Sequence, residues 1–266
     1  ITVIVQDTSM TFPTFFNYHI GRWELENTFI DNSQLYEIAW IKDGNDFIIG
    51  LGAPDESSMN NKFWKLDLTN YSWLELAYPG ADFSLARQPF SAGLFWGSGD
   101  ANPDNNFNAP SDYFWKYNNG VFEQQSALPF QVIGAVAHEL NGKLYVFGGL
   151  QSSLTISRVA FVYDEVLDTW DVASVAPFDI TNDYPTFSHN NMAYFLQPDG
   201  SLWRFDPTND LWTVVSQFVD NVTRGGMATV LDGKAYLGLF ETERNLWEWN
   251  IKEPTRNYIQ NRKTTH

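Results

Sequence analysis

The sequence predicts an all-β chain in which six short antiparallel sheets stand around a common axis. Three observations predict it. A strand, loop, strand, turn and strand unit recurs along the chain. Alternating residues within each run offer one face to either side of a sheet. Aromatic residues are 17 % of the chain, enough large rigid rings to fill the wedges between sheets packed side by side. The clearest copy is RVAFVYDEVLDTWDV at 158–172, preceded by GKLYVFGG at 142–149. Gly148 and Gly149 end one strand, Phe161, Val162 and Tyr163 lie in the next, and Trp170 opens a third. Asp168 and Thr169 supply the turn chemistry between them.

Aligning Phe161 with Trp64, Trp115, Trp203 and Trp247 brings FWKLDLTNYSW, FWKYNNGVF, AFVYDEVLDTW, LWRFDPTNDLW and LWEWNIKEPTRNY into register, and FFNYHIGRW at 15–23 adds a copy at the front. The anchors Phe16, Trp64, Trp115, Phe161, Trp203 and Trp247 are 48, 51, 46, 42 and 44 residues apart, a period that means one sheet per repeat. The Gly148-Gly149 pair and the spacing of Tyr163 to Trp170 and Phe205 to Trp212 resemble the kelch repeat, which builds β-propeller blades. Leu66 and Trp73 keep the spacing, whereas Gln197 stands where the repeat expects glycine. The FW-x-Leu/Tyr-Asp run and the Trp-x-x-x-Ala-x-Pro-Gly from Trp73 to Gly80 resemble kelch proteins of bacterial surfaces in particular. The resemblance implies a single six-bladed propeller of four-stranded antiparallel blades, at about 1–27, 28–79, 80–127, 128–177, 178–217 and 218–262.

Blade one offers ITVIVQD, TFFNYHI and GRWELEN; ITVIVQD reads as a second strand with no first strand ahead of it, so this blade is expected to be incomplete. Blade two has LYEIAWI, FIIGLG, KFWKLDL and SWLELAY, with a hairpin signal at Asp43-Gly44. Blade three, the least regular, compresses two strands into LARQPFSAGLFWGSG before a long loop and YFWKYNN. Blade four runs GAVAHEL, KLYVFGG, VAFVYDE and TWDVAS; blade five runs YPTFSHN, MAYFLQP, SLWRFDP and LWTVVSQ. Blade six has GGMATVL, KAYLGLF, NLWEWNI and an expected last strand near 257–261. Sustained helical periodicity is absent, so almost no helix is expected. With strands running from the axis outward in alternating directions, the long loops between second and third strands, at 53–62, 100–112 and 150–157, share one face with the linkers between blades. Long loops on a rigid scaffold are where binding is usually placed.

Net charge is −16, which repels polyanions because basic residues supply most nucleic-acid affinity; nucleic acid is not an expected partner. The chain has no Cys, which removes disulfides, thiolate nucleophiles and Cys-metal sites, together with the Cys–Tyr radical cofactor of galactose oxidase. No apolar run approaches the ~20 residues of a membrane span. An extracellular, cell-surface or periplasmic setting is expected, with room for a lipoprotein anchor upstream of residue 1.

Arg87 and Arg224 lie at the starts of inner strands, near the channel mouth on the long-loop face, beside Tyr36 and Tyr184. In kelch-type adaptors arginines in comparable places take acidic peptides, since Arg matches carboxylate bidentately. The competing reading pairs each arginine with one of the chain's own carboxylates. Asp104 and Asn106 complete the expected contact set for a protein or peptide partner, within a larger assembly that extends to membrane proteins. Asp100, Asn102 and Asp104 alternate as oxygen ligands do in a calcium loop, but Asn105 replaces the required Gly and Ser111 the closing Glu. A solvated loop is the favoured reading, and no cofactor is expected beyond this calcium candidate. His138 and Glu139 are neighbours on an inner strand, so only one faces the channel. Glu139 with Arg224 as acid/base pair gives the alternative function, a glycan-binding or mutarotase-like propeller resembling the kelch-type sialic-acid mutarotase at fold level.

Overall fold

The computed structural model describes residues 29, 35–55, 57–79, 83, 85–102, 108–243 and 245–251, together with the strand backbone within 2–28. The strands in chain order are β1 (Thr2–Val5), β2 (Thr14–His19), β3 (Arg22–Thr28), β4 (Ala39–Asp43), β5 (Asp46–Gly50), β6 (Phe63–Asp67), β7 (Ser72–Leu76), β8 (Phe90–Ala92), β9 (Phe95–Gly97), β10 (Phe114–Asn118) and β11 (Val121–Gln124). They continue as β12 (Val136–Leu140), β13 (Lys143–Phe147), β14 (Val159–Asp164), β15 (Thr169–Val175), β16 (Thr186–His189), β17 (Met192–Leu196), β18 (Ser201–Asp206), β19 (Leu211–Gln217), β20 (Gly225–Leu231), β21 (Lys234–Phe240) and β22 (Leu246–Asn250). No helix occurs among the described residues, as the lack of helical periodicity predicts.

Every sheet is antiparallel and joins its strands in chain order: β4 to β7, β8 to β11, β12 to β15 and β16 to β19 in fours, β20 to β22 and β1 to β3 in threes. The spacing of seven has a direct cause. Leu66 pairs with Trp73, Tyr163 with Trp170 and Phe205 with Trp212 across the hairpin between third and fourth strands, so the two side chains meet on one face, as two rings in the last two pairs. Their centroids are 4.9 Å apart in the Tyr163 pair and 4.7 Å in the Phe205 pair. Pairing shifts by a residue just before Phe16, Phe161 and Trp203, three of the positions that anchor the sequence repeat.

The expected six-bladed ring is corrected to five blades. Innermost strands touch in the succession β4, β8, β12, β16 and β20, whereas β1 to β3 form a separate sheet with no comparable inner-strand packing among the described residues. The physical reason is strand complement: in this sheet β1 occupies the place of a second strand and no described strand lies inside it, so it presents nothing at the axis. The expected strand near 257–261 lies outside the described residues, and β20 to β22 stand as three.

Blades are held together by rings from both sides of each wedge. Phe63 of blade two packs on Trp96 of blade three, centroids 5.7 Å apart, and both are fully buried. Phe114 of blade three meets Tyr163 of blade four at 4.8 Å, and Phe147 of blade four meets Phe195 of blade five at 5.0 Å. Two of the fourth-strand tryptophans add polar stitches to the preceding blade. Trp170 Nε1 donates to the Ser126 carbonyl at 3.0 Å, and Trp212 Nε1 to Ser174 Oγ at 2.8 Å. Gly148 is a backbone requirement: its φ is +66°, and a Cβ there would stand 2.2 Å from the Ile180 carbonyl oxygen.

Candidate functional site

Inner strands turn back through tight hairpins at one end of the disc, while the loops between second and third strands gather at the other. On that long-loop face the loop after β5 is fixed by paired hydrogen bonds between Tyr36 and Ala53, 2.8 and 2.9 Å, and by Asn60 N to the Gly52 carbonyl at 2.9 Å. The loop after β13 closes through the bridge between Leu150 and Ile156 and through Gln151 N to the Thr155 carbonyl at 2.9 Å. Its tip carries Leu154, 72 % exposed and with φ +59°. Tyr36, Tyr113 and Ile156 are exposed on the same face.

The two expected arginines part company. Arg87 is only 2 % exposed and points inward. Nη1 lies 3.4 Å from Glu37 Oε2, and Nη2 donates to the carbonyls of Asp55 and Ser58. Gln88 Nε2 donates to the other Glu37 oxygen at 3.0 Å. Arg87 is therefore a clamp between blade three and the blade-two loop, and its guanidinium is not presented to a partner. Arg224 is 73 % exposed, with Nη2 3.9 Å from Asp183 Oδ2. Tyr36 is exposed on the face, and Tyr184 lines the channel.

Asp104 and Asn106 lie outside the described residues. Asp100 is fully buried, and its Oδ1 accepts from the backbone amides of Asn102 at 3.0 Å and Ala109 at 3.1 Å. Asn102 Nδ2 donates to Asn108 Oδ1 at 2.7 Å. Asp100 thus braces the loop's own backbone and Asn102 ties two side chains of the same loop, and no cluster of three metal-ligating His, Asp or Glu occurs among the described residues.

Down the axis lies a cavity of about 600 Å³ lined by all five inner strands. Counting back from each hairpin places Lys42, Ser91, Glu139, Ser188 and Val230 in one layer and Trp40, Ala137, Thr186 and Ala228 in the next; Lys42 and Val230 are not among the residues that line the cavity. Of the neighbouring pair, His138 turns toward blade five, its Nε2 3.1 Å from Thr186 Oγ1 and its ring near Phe147 and Phe195. Burial pushes its pKa down to about 4, because desolvation disfavours the imidazolium. Glu139 is exposed and lines the cavity; Arg224 does not line it. Trp40 is the cavity residue the sequence conceals. Rings in this chain read as core by default, yet Trp40 is 53 % exposed, stacked on Phe47 at 5.5 Å. Its signal was its place beside Ala39 and Ile41, which alternate with it into the core.

The kelch motif matches residues 133–174, which run from just before β12 into β15. The solved structure of YjhT superposes with a TM-score of 0.62 at 17 % identity, covering 76 % of this chain and 72 % of that one. The chain folds as a β-propeller that carries a kelch motif. The propeller also resembles Kelch-like protein 15 of Danio rerio, 24 % identical over 250 residues, or 76 % of this chain and 40 % of that protein. It therefore spans about two fifths of that relative's length. Kelch propellers commonly act as protein-interaction modules. Among the described residues no helix is long and apolar enough to cross a membrane.

Proposed function

We propose that this propeller is a non-catalytic docking module whose long-loop face, with the loops at 53–62 and 150–157 and the channel mouth, receives a protein partner. The observation that carries the reading is Leu154. A leucine held at φ +59° and 72 % exposed costs about 1–2 kcal/mol in backbone strain and gains no burial within the chain. An apolar side chain fixed outward on a braced loop is instead suited to burial in a partner. Tyr36, Tyr113 and Ile156 supply exposed apolar neighbours on the same face, and Arg224 supplies an accessible cation at the channel mouth. A place on or outside a bacterial cell, within a larger assembly, belongs to the same proposal, supported by the FW-x-Leu/Tyr-Asp run.

The opposite face provides the control, because Val166 and Leu167 are 93 % and 70 % exposed in the turn between β14 and β15. Leu154→Asp is expected to abolish recovery of a stoichiometric partner co-purified from the native source, while Leu167→Asp leaves it intact. Retention of partner by Leu154→Asp together with its loss from Leu167→Asp would reverse the face assignment.

A further inference from the structure

The central cavity holds a combination that the docking role does not use. Glu139 carries its only carboxylate, none of the residues lining it is Lys or Arg, and Glu139 makes no ion pair among the described residues, although Lys42 of β4 is exposed in the same layer. His138 adds no positive charge near neutral pH, since burial keeps it unprotonated. Trp40 presents an exposed indole to the same space. Blade three lies between their blades and touches the Trp40 backbone and the Glu139 carboxylate. Trp40 N is 3.4 Å from Ser91 Oγ, and two residues further on Gly93 seats the Glu139 carboxylate so closely that a Cβ would stand 2.0 Å from Oε1. Ser91, Thr186 and Ser188 add hydroxyls, while alanines at the Trp40 level in β12 and β20 keep the space open.

We infer that the cavity binds an organic ammonium group, with the cation against the Trp40 ring and the Glu139 carboxylate. A carboxylate that makes no ion pair among the described residues and an exposed ring lining the same cavity favour a cation of low hydration, since ring quadrupole and carboxylate attract the same charge. The chain's net charge of −16 concentrates such cations at the channel mouths. A neutral polyol would satisfy the hydroxyls but leave the carboxylate without its charge partner. The group belongs either to a free small amine or to a lysine side chain reaching into the channel. This site is independent of which protein docks on the loops.

Calorimetric titration of the whole chain with choline, with N-acetyl-lysine methylamide and with 3,3-dimethylbutan-1-ol, the uncharged carbon isostere of choline, tests it. Saturable one-to-one binding of choline, the lysine derivative or both is expected. Choline alone identifies a free amine and the lysine derivative alone a side chain. Glu139→Gln and Trp40→Leu should each weaken binding by about tenfold or more with an unchanged melting temperature. No saturable binding of either cation, equal binding of the neutral isostere, or undiminished affinity in Glu139→Gln would overturn the assignment.

Discussion

Asp168 shows how the repeat signature stabilises the ring of sheets. Its Oδ1 accepts from the Tyr163 hydroxyl at 2.6 Å and from Ser126 N, at the end of blade three, at 2.8 Å. One carboxylate oxygen therefore ties the hairpin of blade four to its neighbour. Asp168→Ala removes two charge-assisted hydrogen bonds, worth about 1 kcal/mol each at this exposed turn, below the buried value. It also places alanine at φ +51°, where Asp is tolerated and alanine is strained by about 1 kcal/mol. The sum is about 3 kcal/mol, or roughly 6–12 °C in melting temperature for a domain of this size. Gln125 limits the loss, because its Oε1 lies 3.1 Å from the Tyr163 hydroxyl and can take over that hydrogen. Urea denaturation of wild type, Asp168→Ala, Tyr163→Phe and the double variant should give a coupling of about 1 kcal/mol, as expected for residues sharing a hydrogen bond. A loss under about 0.5 kcal/mol in Asp168→Ala, or additive single effects, would refute the stitch.

Other expectations follow from the same geometry. Gly148→Ala should cost about 3 kcal/mol or more because its Cβ meets the Ile180 carbonyl, whereas Gly142→Ala, with nothing within 4 Å, should cost only the strain of φ +72°, about 1 kcal/mol; equal losses on denaturation would count against the close approach. Arg87→Ala should destabilise by about 2–3 kcal/mol by removing its bonds to Glu37 and to the Asp55 and Ser58 carbonyls, and a change under about 1 kcal/mol would show the clamp to be idle. His138 has a folded pKa of about 4 against an ordinary 6.5, so its contribution is complete above pH 6.5 and is lost as pH falls from there to about 4. The loss reaches at most about 3 kcal/mol. Melting curves across that window should fall more steeply for wild type than for His138→Gln, and parallel curves would refute the buried neutral imidazole.

The blades were legible because their signals are local. The spacing of seven is a hairpin register, and Gly148-Gly149 marks a strand end where a side chain does not fit. The anchors Phe16, Phe161 and Trp203 coincide with pairing shifts that follow from strand geometry. The number of blades was not legible, since six repeat copies do not reveal whether the first sheet has a strand at the axis. Arg87 misled for a related reason. Its position at a strand start was readable, but the direction of its guanidinium depends on Glu37 and on two carbonyls of another blade. Trp40 was concealed because exposure of a ring in a ring-rich chain is decided by the small residues facing it, at Ala137 and Ala228, two and four blades along the chain.

Hydrogen–deuterium exchange of the propeller with and without its co-purified partner tests the docking account most directly. Slowed exchange at 53–62, 108–113 and 150–157, with the turns at 164–168 and 206–210 unchanged, is the predicted footprint. Protection confined to those turns would place the partner on the other side of the disc and contradict the account.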